Sequence, residues 1–269
     1  MHSSPSPPSG VRAVVFPNLS DGRSQTMLGT ALLALAALAW CWTAHEAGAM
    51  NCVMTMPEMQ NSRWTGCALY VLSWTTMMVA MMLPAVTPMV LLFARIARTR
   101  RSNGSPWLFV GGYLIVWGLF AIPAYFATLE YPAIAHSAAT LSLAPQLPGA
   151  VLLLAGLYQL SAFKNACLRH CTAPLDFVMH RWRDGMGGAL LMGTHHAIVC
   201  VACCSALMIV LFTLGVMSLK WMAVIAGCMA AERFAGHGRL VSRFTGATLV
   251  AIGLAGLFLP SAREVLLRL

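Results

Sequence analysis

Charge is what this 269-residue chain has least of. Charged side chains make up 9% of it, against roughly a quarter in a soluble domain. So small a complement cannot cover the surface of an ordinary water-soluble enzyme. Only eight side chains are acidic, and none pair up inside the apolar stretches, so a proton relay through buried carboxylates is not expected. Glycine and proline, at 22 and 14, are too few for a low-complexity chain. There is no Gly-rich loop ending in Lys-Ser/Thr to cradle a nucleotide phosphate. A Gly-x-Ser-x-Gly nucleophile elbow is missing, and so is a Cys-x-x-Cys-His haem attachment site. These gaps exclude the familiar pump, hydrolase and haem signatures, and an enzyme is the less expected outcome.

What is present is apolar surface. Hydrophobic residues reach 59%, and the mean hydropathy is +0.73. That excess must face lipid, so the expected fold is an all-α, polytopic transmembrane helix bundle. A spanning helix needs about 20 mostly apolar residues, and seven segments approach that length. They run near Thr26–Ala44, Trp64–Ile96, Trp107–Leu129, Pro148–Phe163, Gly185–Gly215, Met217–Ala231 and Phe244–Leu259, the fourth and sixth being short. Residues 1–25, with Pro5, Pro7 and Pro8, read as a solvated, disordered cytoplasmic tail. Residues 26–269 read as one transmembrane domain. Ala47-Gly48-Ala49 resembles a signal-peptidase site; cleavage there would leave six helices, and retention is the favoured reading.

The net charge of +9 would suggest nucleic acid in a soluble protein. Here the basic residues orient the chain. With the N-terminus inside, thirteen of the seventeen Lys and Arg fall on the cytoplasmic side, among them Lys164, Arg169 and Arg233. Such an asymmetry sets topology. A multi-pass protein of a bacterial inner membrane follows, with the lipid bilayer rather than nucleic acid as partner.

Two residue types are over-used: 18 Met and 9 Cys. An odd number of cysteines, mostly inside apolar runs, is no secreted disulfide framework. The second apolar segment carries Met77, Met78, Met81 and Met82, with Pro84 and Pro88 expected to kink the helix. Pairs four apart lie on one face. Thioether sulfur is a soft neutral ligand suited to Cu(I), although Met also fills irregular gaps between helices. In the fifth segment His196, Cys200, Cys203 and Cys204 fall on one stripe, with Met192 a turn before, while His195 lies about 100° away. Imidazole with thiolates suits Cu(I), with zinc as the second candidate. The competing reading is that the thiols pack as small hydrophobes and the histidine bonds within the core. Counting residues from the helix ends places both clusters near the bilayer centre.

Cys167 and Cys171, one helical turn apart beside Lys164, form a candidate exchange site at the cytoplasmic face. Lys164 itself reads as a topology anchor, and Glu232 with Arg233 as interface residues. In the first outer loop, Met54, Met56 and Met59 resemble a copper-gathering segment, with Glu46 and Glu58 nearby read as solvated.

Residues 64–258 resemble a bacterial family described as predicted metal-binding integral membrane proteins of unknown function. The resemblance rests on Trp74-x-x-Met77-Met78-x-Ala80-Met81-Met82-x-Pro84, Tyr113-Leu114-x-x-Trp117 and Ala155-Gly156-x-Tyr158-Gln159. It continues through Lys164-x-x-Cys167-Leu168-x-x-Cys171, Cys200-x-x-Cys203-Cys204 and Met217-x-Leu219-x-Trp221-Met222 to Glu232. This chain has Ala162, Ala202 and Ser205 where that family usually has Pro, Gly and Trp. The resemblance implies metal binding and no particular reaction.

The expected function is therefore binding of a soft metal ion, Cu(I) first, with transport or delivery. The outer Met loop would collect the ion, the central Met/His/Cys cluster hold it, and Cys167/Cys171 exchange it inside with a metallochaperone or membrane enzyme complex. Two other readings stay open: an accessory subunit of a membrane metalloenzyme or electron-transfer complex, and a structural membrane protein without metal.

Overall fold

The computed structural model describes residues 19–53, 63–140, 146–172, 174–214 and 218–268. Among them there is no strand. Ten helices run in the order α1 (Leu19–Val53), α2 (Arg63–Thr99), α3 (Pro106–Thr140), α4 (Leu147–Leu160), α5 (Ala162–Thr172), α6 (Pro174–Arg181), α7 (Gly185–Leu214), α8 (Leu219–Phe234), α9 (Gly238–Phe258) and α10 (Pro260–Arg268). All seven apolar segments fall on helices, but seven full-length spans do not result. Five helices, α1, α2, α3, α7 and α9, are long and apolar enough to cross a membrane. A sixth crossing exists only if α4 and α5, bent by 61° at their junction, count as one. α8 has 16 residues, which is about 24 Å at 1.5 Å per residue and short of a full crossing. α1 begins at Leu19, inside the stretch read as tail.

The break between α4 and α5 has a local cause. Ser161 adopts an extended conformation, φ −66° and ψ 153°, ending α4. Its hydroxyl then accepts a hydrogen bond from the Lys164 backbone N–H at 3.1 Å. A serine oxygen bonded to the third N–H of the next helix is the favoured start signal for that helix. The fourth apolar segment, read as running through Phe163, therefore stops at Leu160, and the chain turns inward.

α2 is one continuous helix through Pro84 and Pro88, without the break that two prolines invite. α1 and α3 flank it, and α3 packs in turn on α7. α2 and α7 are the most enclosed, with 67% and 56% of their apolar windows buried, against 22% for α9. α4 and α9 form a separate close pair, tied to the rest by α5, α7 and α8. α2 and α7 meet through side chains, the Trp74 and Phe212 rings stacking with their centroids 5.4 Å apart.

Backbone contact brings α3 against α7. A Cβ at Gly112 would stand 2.3 Å from the Leu190 carbonyl oxygen, and one at Gly193 would stand 2.0 Å from that of Phe109. Only residues without a side chain permit that approach. Tyr113, the residue after Gly112, then meets Cys200, about two turns beyond Gly193.

Candidate metal centre

Four helices deliver the side chains. α7 supplies Cys200, Cys203 and Cys204, all buried. From α3, the Tyr113 hydroxyl and the Cys200 Sγ share a hydrogen bond at 3.0 Å. From the end of α8, the Arg233 guanidinium donates to Cys200 Sγ at 2.7 Å and to Cys204 Sγ at 3.4 Å. From α5, Cys171 lies beside Cys203, so the thiols form a chain of neighbours: Cys171, Cys203, Cys204, Cys200. Arg233 has no carboxylate partner among the described residues. Its hydrogen-bond acceptors there are the two sulfurs.

A second group of hydrogen-bonded polar side chains sits alongside. Lys164 is 0% exposed and Glu232 is 1% exposed. The ammonium donates to Glu232 Oε2 at 2.7 Å and to the Cys203 carbonyl at 2.7 Å. Gln159 Nε2 donates to Glu232 Oε1 at 2.6 Å, and the Tyr158 hydroxyl donates to the Ala202 carbonyl. A buried charge persists only when paired and hydrogen-bonded, and Lys164 and Glu232 satisfy each other. The pair straps α5 and α8 to the stretch of α7 that bears the thiols.

Lys164 is thus no solvated anchor, and Glu232 and Arg233 are no mere interface residues. Adjacent on α8, the two face different ways: Glu232 toward Lys164 and Gln159, Arg233 toward the sulfurs. Sequence reasoning gave none of Lys164, Glu232, Arg233, Gln159 and Tyr113 a place at the thiols, although all but Arg233 stand in the motifs that carry the family resemblance. The available signal was charge at the edges of apolar segments, which was read as topology.

The histidines separate. His196 is buried, its ring against Phe109, Tyr113 and Phe177. His195 faces the other way, lining an open cavity with Cys167, His170 and His180. Met77, Met78, Met81 and Met82 are all buried in the apolar core. The four methionines and Cys200, Cys203 and Cys204 all belong to one buried core cluster. Met54, Met56 and Met59 lie outside the described residues. Among the described residues, no group of three or more His, Cys, Asp or Glu is arranged to hold a metal ion.

Arg233 also lines an open cavity of about 680 Å³ beyond the thiols, together with Arg169, His237, Arg239 and Arg243. No acidic side chain contributes to its wall.

A family model described as PpoB2, copper chaperone, matches residues 71–256. The chain belongs to this copper chaperone family. No curated protein and no solved structure matches it. The part shared with the copper chaperone family runs from α2 to α9. It contains the four-Met face, the thiol chain, Lys164, Glu232 and Arg233, and omits the Met54–Met59 loop and Glu46.

Proposed function

We propose that this protein is an integral membrane copper(I) chaperone whose holding site is the sulfur pair Cys200 and Cys204, with Arg233 as counter-charge. The observation that carries the reading is a guanidinium bonded to two thiols and to no carboxylate. In a medium of low dielectric, uncompensated charge is costly. One Cu(I) with two thiolates carries a net charge of minus one, and Arg233 restores neutrality. The neighbouring Lys164–Glu232 pair is already neutral. Thiolate sulfur selects soft ions such as Cu(I). Structural zinc prefers four ligands in a tetrahedron, which a chain of neighbouring thiols does not supply.

The five long apolar helices support a multi-pass membrane protein, and the bias of Lys and Arg supports an inner membrane with the N-terminus inside. That bias survives without Lys164 and Arg233, eleven residues against four. In this orientation the thiols lie at the inner ends of α4 and α8. At 1.5 Å per residue these helices are about 21 and 24 Å long, so the site sits in the inner half of a hydrocarbon layer about 30 Å thick, not at its centre. Beyond it the cationic cavity opens toward the cytoplasm. Cys171, beside Cys203, provides the next sulfur for an outgoing ion. Cys167, the other half of the expected exchange pair, faces the histidine-lined cavity instead. Passage would then be a series of ligand exchanges, each new Cu–S contact made as an old one breaks, with no change in copper oxidation state.

The test is competition for Cu(I) between a calibrated chelator and the full chain in mild detergent. Cys200→Ser/Cys204→Ser is expected to weaken the tightest copper by at least about 100-fold, the upper range for loss of a supporting partner alone. Unchanged affinity in that variant would remove the holding site.

A further inference from the structure

A small, partly open space lies away from the thiol chain, between α1, α2 and α8. Its volume is about 40 Å³, and its wall includes Glu46, Tyr70, Ser73, Trp74, Met77 and Met222. Two thioethers from different helices therefore share a cavity with one carboxylate. The Ser73 hydroxyl donates to Glu46 Oε2 at 3.1 Å. Glu46 has no cationic partner among the described residues. The Tyr70 hydroxyl and Trp74 Nε1 are buried without a hydrogen-bond partner, although Trp74 is only 3% exposed. A buried indole N–H, which can only donate, and a phenol hydroxyl without partners call for water in this space. The space exceeds the 10–15 Å³ or so that one water needs, leaving room for an ion with a water or two.

From these features we infer that the cavity is a second, separate site for a soft monovalent cation, with Met77 and Met222 as sulfur ligands and Glu46 as the counter-anion. The charge logic is the inverse of that at the thiols. Thioethers are neutral, so a bound Cu(I) keeps its positive charge, and Glu46 cancels it. Thioether sulfur is suited to Cu(I) and has no proton to lose on binding. Met222 opens the buried face of α8, which continues through Ile225 and Met229 to Glu232. The ion would thus start at the beginning of a helix whose far end carries Arg233 and meets the thiols. The inference deepens the copper-chaperone reading by adding an outer intake site, and it stands on different residues from the holding site.

Silver(I) serves as a redox-inert probe. Calorimetric titration of the full chain in mild detergent is expected to show two ions per chain. Cys200→Ser/Cys204→Ser should retain the weaker one, and Met77→Leu/Met222→Leu should retain the tighter one. Glu46→Gln should weaken the weaker ion by about 10-fold or more, the scale reported for lost partners of metal ligands, and leave the tighter ion unchanged. Because Glu46→Gln and the methionine pair act in a chain whose thiol site still binds, that retained ion reports an intact fold. A weaker ion that persists in Met77→Leu/Met222→Leu would overturn the intake site, and so would its indifference to Glu46→Gln. Loss of the tighter ion's dependence on Cys200 and Cys204 would instead overturn the holding site alone.

Discussion

The two ends of α8 solve the same problem with opposite charges. At one end Met77 and Met222, uncharged sulfur ligands, stand beside a carboxylate that lacks a cation. At the other, Cys200 and Cys204, thiols able to become anionic, stand beside a guanidinium that lacks a carboxylate. Each arrangement leaves one partly exposed ionic group without an oppositely charged side-chain partner among the described residues, and under the two readings above one monovalent soft ion would neutralise it. The comparison teaches that ligand type and counter-charge have to be read together. A methionine or a cysteine alone is ambiguous; the unpaired ion beside it is informative.

The largest expected break in this comparison comes from the Lys164–Glu232 pair, which has no counterpart in the outer cavity. Lys164→Met strands a buried carboxylate, and removing one partner of a buried ion pair costs about 3–5 kcal/mol. Denaturant or thermal unfolding in detergent should register that loss, and Lys164→Met/Glu232→Leu should recover most of it. Equal stability of the single and double variants would show that the pair is not the strap described here.

A smaller effect separates the two ends directly. Arg233→Gln removes the counter-charge of the thiols, and the tighter Cu(I) is expected to weaken about 10- to 100-fold, as for other lost supporting partners. Because thiols must lose their protons to bind copper, the variant should also release the ion at a higher pH than the wild type. Arg233→Lys should restore part of the affinity. The weaker ion should respond to none of these changes. Smallest is Tyr113→Phe, which deletes one hydrogen bond to Cys200, worth about 0.5–1.5 kcal/mol. Chelator competition should show a several-fold loss at most.

Much of the architecture was legible in the sequence. Apolar runs of the right length found every long helix, and the Met and Cys content pointed to a soft metal ion. The span count went astray where local chemistry outranks hydropathy. Ser161 starts a new helix just before the end of the fourth apolar segment, and α8 is helical but too short. The thiol stripe of α7 could be drawn from 3.6-residue spacing. What joins it could not, because Tyr113, Cys171 and Arg233 come from helices 87, 32 and 33 positions from their sulfur partners. Lys164 and Glu232 were hidden by a rule that is sound on average: charges near the ends of apolar segments are usually wet. Here both are turned inward by a bend and a helix end.

One consequence remains in the seam between α4 and α9. A Cβ on Gly156 would come within 2.7 Å of the Val250 nitrogen, and one on Gly253 within 2.5 Å of the Leu153 nitrogen. With main chain resting on main chain, the seam holds no rotamers that could readjust. The two helices must tilt together or not at all, like the two barrels of a shotgun. Gln159 rides on that unit, accepting from Ser242 through its carbonyl at 3.3 Å and holding Glu232 through its amide. A shift of the α4–α9 pair therefore moves Gln159, and with it the hydrogen bond to the Glu232 carboxylate.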